Sequence, residues 1–187
     1  MKNFLFAIVV LVLSASPAFA QEQTSFFVEE QNIVSDGGNS PWINGLVSHK
    51  FDEKLGAFVF FQVSEGWAQA YVGPTYSPSS WLQVGAGLGL EQADNPTRFG
   101  SFVWIGRGRY SLLSLYEDGG GGHWYKSEFN IKAIGWLGAG AIVQHMLGVG
   151  PRVELNIPGT PVTIWGAPLY DWSTGRFNGT LAARVSF

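Results

Sequence analysis

From Phe177 to Phe187 the chain alternates without a break. Phe177, Gly179, Leu181, Ala183, Val185 and Phe187 fall on one face, and Asn178, Thr180, Ala182, Arg184 and Ser186 on the other. A period of two belongs to a β-strand, whose successive side chains point to opposite sides of the sheet. The pattern recurs upstream. Arg152, Glu154 and Asn156 alternate with Val153, Leu155 and Ile157, and Lys126, Glu128, Asn130 and Lys132 alternate with Ser127, Phe129 and Ile131. Leu82, Val84, Ala86, Leu88 and Leu90 likewise oppose Trp81, Gln83, Gly85, Gly87, Gly89 and Glu91.

Helical membrane spans need about 20 apolar residues. Beyond residue 20 the longest apolar run is 133–143, which holds three glycines and falls well short. The N-terminus reads differently: Lys2, an apolar run from Phe4 to Leu13, then Ser14-Ala15-Ser16-Pro17 and Ala18-Phe19-Ala20. These are the three regions of a secretory signal peptide, with cleavage expected after Ala20. Residues 21–187 then form one domain. They contain no Cys, so neither a disulfide framework nor a lipid-anchored Cys is available. A net charge of −3 argues against nucleic acid as a partner.

Strand signals fall at roughly 25–34, 41–51, 55–64, 67–77, 81–91, 98–107, 109–117, 123–132, 134–145, 150–157, 162–170 and 177–187. Turn-forming residues separate them, including SDGGNS at 35, DEK at 52, ADNPT at 93, DGGGG at 118 and DWSTGR at 171.

Alternation alone suits a soluble barrel and a membrane barrel equally. Composition and placement separate them. Charged residues make up 13% of the chain, about half the usual ~25%. The polar faces carry mostly Gly, Ser, Asn and Gln, which suits a partly filled lumen. Trp42, Tyr76, Trp124, Tyr170 and Trp172 lie near strand ends, where membrane barrels place aromatic girdles.

The segment Phe177 to Phe187, with its terminal aromatic Phe187, resembles the C-terminal assembly signal of Gram-negative outer-membrane β-barrel proteins. The resemblance implies recognition by the barrel-assembly machinery, a location in the bacterial outer membrane, and outer-membrane lipid and lipopolysaccharide as surroundings. No other part of the chain resembles a named family, so it assigns no functional residue.

The expected fold is therefore all-β: a closed, antiparallel, up-and-down transmembrane barrel. Hydrocarbon satisfies no backbone hydrogen bonds, so a spanning sheet must close on itself. Strands of ~10 residues favour twelve of them, joined by short connections. Ten would follow if Glu29-Glu30-Gln31-Asn32 breaks the first strand, and eight would need long loops. With a periplasmic N-terminus the odd-numbered connections lie outside, and the most polar breaks are all odd.

On this facing Glu91, Lys126, Glu128, Lys132, Arg152, Glu154 and Arg184 point inward. They form either a charged constriction that screens solutes or a salt-bridged plug. The leading functional expectation is a monomeric, porin-like narrow channel for small polar or charged solutes. The alternatives are a closed structural or surface-binding barrel, its lumen filled by Phe58, Phe60, Trp67, Tyr71 and Trp81, and a membrane-embedded lipid-modifying enzyme. His49, His123 and His145 stand on separate segments, so no catalytic or metal-binding set is expected, and no cofactor. GAGLGLE at 85 has no helix after it to hold a phosphate; its glycines are expected to make room for bulky lumen neighbours. DGGGG at 118 reads as a mobile outer loop.

Overall fold

A computed structural model describes residues 24–187; the expected leader, residues 1–20, lies outside the described residues. Twelve strands follow one another: β1 (Thr24–Ser35), β2 (Gly38–Lys50), β3 (Leu55–Ser64), β4 (Trp67–Ser79), β5 (Leu82–Glu91), β6 (Thr97–Arg107), β7 (Tyr110–Gly119), β8 (Trp124–Ile134), β9 (Leu137–Gln144), β10 (Gly148–Asn156), β11 (Val162–Asp171) and β12 (Arg176–Ser186). Each pairs antiparallel with its sequence neighbours, and β1 pairs with β12, so the sheet is a closed barrel. The ten- and eight-strand alternatives fall.

Closure runs through the last residue. Phe26 and Phe187 exchange both backbone hydrogen bonds at 2.9 Å, and their rings stack with centroids 5.0 Å apart. The Glu29–Asn32 segment does not interrupt β1. Glu29 and Gln31 are buried in the lumen while Glu30 is exposed outside, so the alternation is kept and only the outward polarity is unusual. Two strands run longer than the turn residues suggest. β2 begins at Gly38 because Asn39, Ser40 and Pro41 still pair with β1. β4 continues to Ser79 through a register shift after Tyr76.

Connections are short at both ends of the barrel, the longest being 92–96 and 157–161. Odd and even connections hardly differ in length. The wall alone therefore shapes the interior.

Val59, Val72, Leu88, Leu90, Val153 and Leu181 project outward and stay exposed, as a lipid-facing surface requires. Inside are two packed apolar clusters. Phe58, Phe60, Tyr71 and Phe102 fill the side of β3, β4 and β6. Ile142, Trp165, Ala167, Leu169 and Ala182 fill the side of β9, β11 and β12. Glycines admit the first cluster: a Cβ on Gly100 would stand 2.5 Å from the Tyr71 ring, and one on Gly85 2.3 Å from the Phe102 ring. Phe58, Phe60 and Tyr71 thus fill the lumen as expected. Trp67 is half-buried there, but Trp81 is 45% exposed because it lies in the turn between β4 and β5.

The aromatic girdle also needs correction. Tyr76 and Trp172 are exposed, and Tyr170 packs against Phe177 at the odd-connection rim. Trp42 and Trp124 instead turn inward, because both share the phase of the inward residues of their strands.

Candidate functional site: the lumen

The lumen holds a cavity of ≈ 870 Å³. It is bordered at the even-connection end by Lys50, Glu53, Lys54 and the serines 77, 79 and 80, and it reaches Trp42, Gln62 and Trp124. Glu29, Lys126, Glu128 and Arg184 stand in its wall.

A belt of charge is built around these four. Lys126 and Glu128 are two apart on β8 and so share its inward face; Nζ lies 2.6 Å from Oε1. Arg152 on β10 donates to the other Glu128 oxygen and, at 2.9 Å, to Glu154. The reach from β10 to β8 crosses β9, where the intervening inward positions opposite Arg152 and Glu154 are Gly140 and Gly138. Small residues on the middle strand make that bridge possible.

Trp165 extends the belt. The Arg152 guanidinium lies 4.2 Å and the Lys126 ammonium 5.2 Å from its ring centroid. Its indole N–H donates to Glu29 at 2.8 Å, and Arg184 donates to the same carboxylate oxygen at 2.7 Å. Gln31 donates to the other Glu29 oxygen. Three cations and three carboxylates are thereby joined, and each is engaged.

A second cluster lies towards the odd-connection end. Arg98 donates to Glu91 at 2.8 Å and, through Nε and Nη2, to Glu117 at 3.1 and 3.0 Å. Glu117 also accepts from the Gln69 amide at 2.8 Å and the Tyr71 hydroxyl at 3.1 Å. All three charged side chains are almost wholly buried. The glycine loop after β7 is tied to this cluster: the Gly121 N–H donates to Glu91, and the Gly122 carbonyl accepts from Arg98. The expected mobile loop is therefore held by side chains from the wall.

Among the expected inward charges, Lys126, Glu128, Arg152, Glu154 and Arg184 come together in the belt. Glu91 belongs to the second cluster. Lys132 lies exposed near the even-connection end. Glu29, Arg98 and Glu117 were not singled out in the sequence. Glu29 was hidden by its polar neighbours Glu30 and Asn32, and the phases of β6 and β7 are blurred by outward serines such as Ser101 and Ser114.

The histidines divide. His49 accepts or donates a hydrogen bond with Thr24 at the even-connection rim. His123 and His145, from different connections, meet with ring centroids 4.8 Å apart, and Tyr125 lies beside His145. No group of three or more potential metal ligands occurs among the described residues.

No family model matches the sequence, and no curated protein matches it. Solved structures do. KdgM porin superposes with a TM-score of 0.58 at 13% identity, covering 86% of this chain and 99% of that one. NanC porin gives 0.53 at 12% identity over 86% of this chain and 98% of that one. The Acinetobacter baumannii outer-membrane protein Omp33 gives 0.53 at 9% identity over 88% and 98%. At these identities the likeness is one of fold: this chain has the fold of an outer-membrane porin.

Proposed function

We propose that the protein is a narrow, porin-like channel for small polar or charged solutes in the bacterial outer membrane. The observation that carries this reading is the lumen: a cavity of ≈ 870 Å³ whose wall sets Ser, Asn and Gln and the paired charges of the belt beside apolar side chains such as Phe60, Phe102, Trp104 and Leu113. An apolar filling would serve a purely structural barrel better, since buried charges cost several kcal/mol each to desolvate. One chain encloses the whole path, so a monomer suffices.

The N-terminal leader, residues 1–20, is removed on export, and the barrel-assembly machinery reads the β12 segment that carries Phe187. Odd connections face the cell exterior, and lipid and lipopolysaccharide contact the apolar outer face. The lumen is narrow towards that side, where Ile33, Gln144 and Leu169 are buried. Unit conductance is correspondingly small.

Single-channel recording of the purified mature barrel in planar bilayers tests the reading. Discrete conductance steps are expected, and a correctly folded barrel that stays silent at every voltage rejects it.

A further inference from the structure

The cavity has two unlike walls. In the closed ring of strands β6 lies opposite β12 and β7 lies opposite β1, so these pairs face each other across the lumen. β6 brings Phe102 and Trp104 to the cavity, and β7 brings Leu113 and Leu115. Across from them β12 brings Arg184, and β1 brings Ser25, Glu29 and Gln31. One wall is apolar and the facing one polar. A cavity of ≈ 870 Å³ falls within the roughly 300–1,000 Å³ of small-molecule sites, which share this make-up of apolar lining and a few polar groups placed to orient the ligand.

The apolar wall is short. Phe102 and Trp104 are two residues apart on their strand, as are Leu113 and Leu115, so each pair covers about 7 Å. On β7 the inward face turns polar on either side of that pair, at Ser111 and Glu117. Such a patch matches one ring and is too short for a long acyl chain. The polar wall offers a cation with donors to spare. Arg184 bonds one oxygen of Glu29 through Nε and Nη2, which leaves Nη1 without a partner among the described residues. The Arg184 side chain is 22% exposed, and its guanidinium is held 4.8 Å from the Phe27 ring centroid. A guanidinium fixed in this way is preorganised for the fork of a carboxylate. The charges bordering the cavity also favour an anion, since Lys50, Lys54, Lys126 and Arg184 stand against Glu29, Glu53 and Glu128.

We propose that the lumen binds small aromatic monocarboxylates, with the ring against Phe102, Trp104, Leu113 and Leu115 and the carboxylate on Arg184. The proposal names a solute class for the channel reading above and rests on it for passage, while the binding rests on the cavity alone. Neither half of such a molecule suffices. A carboxylate without a ring leaves the apolar wall wet, and a ring without a carboxylate leaves the Nη1 edge unanswered.

Phenylacetate is the probe, with acetate and benzyl alcohol as its two halves. Titration calorimetry on the mature barrel in lipid nanodiscs, with empty nanodiscs subtracted, should show saturable phenylacetate binding at least roughly tenfold tighter than either half. Trp104→Gln, at a half-buried position, should weaken phenylacetate about three- to tenfold, the worth of one aromatic contact. Arg184→Gln should weaken it about tenfold or more. Arg184→Lys keeps a cation beside Glu29 but loses the fork, so it should also weaken binding and serves should the glutamine variant fail to fold. In planar bilayers phenylacetate should interrupt the native current at concentrations where acetate has no effect. Conductance steps without saturable phenylacetate binding overturn the proposal and leave the channel reading intact. So does binding no tighter than that of acetate or benzyl alcohol, or binding unmoved in folded variants of both walls. Specific binding by a barrel that stays silent at every voltage upholds the site and overturns the channel reading alone.

Discussion

Glu128 has two cations in contact. Its carboxylate sits between Lys126 and Arg152, and all three side chains are buried. Glu128→Gln takes from Lys126 the carboxylate it pairs with and leaves Arg152 with Glu154 alone; in a buried site, breaking one member of such a pair costs about 3–5 kcal/mol. Guanidinium unfolding in detergent should show a loss of that order; a variant within about 1 kcal/mol of the native barrel contradicts the belt as drawn. Much of this site can be read from the alternation of β8 and β10, which places Lys126, Glu128, Arg152 and Glu154 on the inward face. What alternation cannot supply is partner choice across a strand. The Arg152–Glu128 bond depends on Gly140 and Gly138 of β9, and Glu29 meets Trp165 and Arg184 only because the first and last strands pair. Those are consequences of register and closure, which emerge only in the folded sheet.

At the scale of single strands, β10 offers the clearest test of facing. Val153, close to the middle of β10, is exposed on the outer surface, and Glu154 bonds Arg152 inside. Val153→Arg places a cation on the lipid face and should cost ~2–4 kcal/mol near the bilayer midplane. Glu154→Gln keeps an acceptor for Arg152 and should cost much less; equal costs in parallel unfolding curves would reverse the assigned faces. The connections at the odd rim carry a different dependence. Burial and then the neighbouring His123 hold the His145 pKa below its ordinary value of 6.5. Its neutral form is therefore favoured by the fold. The stability of this contact is complete above about pH 6.5 and is lost as pH falls through the depressed value. His123 and Tyr125 are the groups packed against it. Amide protection factors across 120–123 and 145–147, corrected for the intrinsic pH dependence of exchange, should fall in acid, and His145→Gln should flatten that response.

For the whole molecule, pairing between chain neighbours builds eleven hairpins, and the β1–β12 ladder converts them into a barrel. Phe187 lies where that ladder finishes, joined to Phe26 by two backbone bonds and a stacked ring. Phe187→Ser keeps the backbone bonds and removes the ring, so it should lower the yield of folded barrel on refolding into detergent while leaving the unit conductance of the molecules that do fold unchanged. A fall in unit conductance would place Phe187 in the path instead of the seam. Strand number and lipid facing were legible beforehand because both follow from period and length. The interior filling was less so: Trp42 and Trp124 sit near strand ends like girdle residues, yet their phase turns them into the lumen.

Hairpin tips as short as those between these strands give the protein almost no relief above the membrane. A protease or an antibody therefore finds only scattered side chains to grip at either end of the barrel.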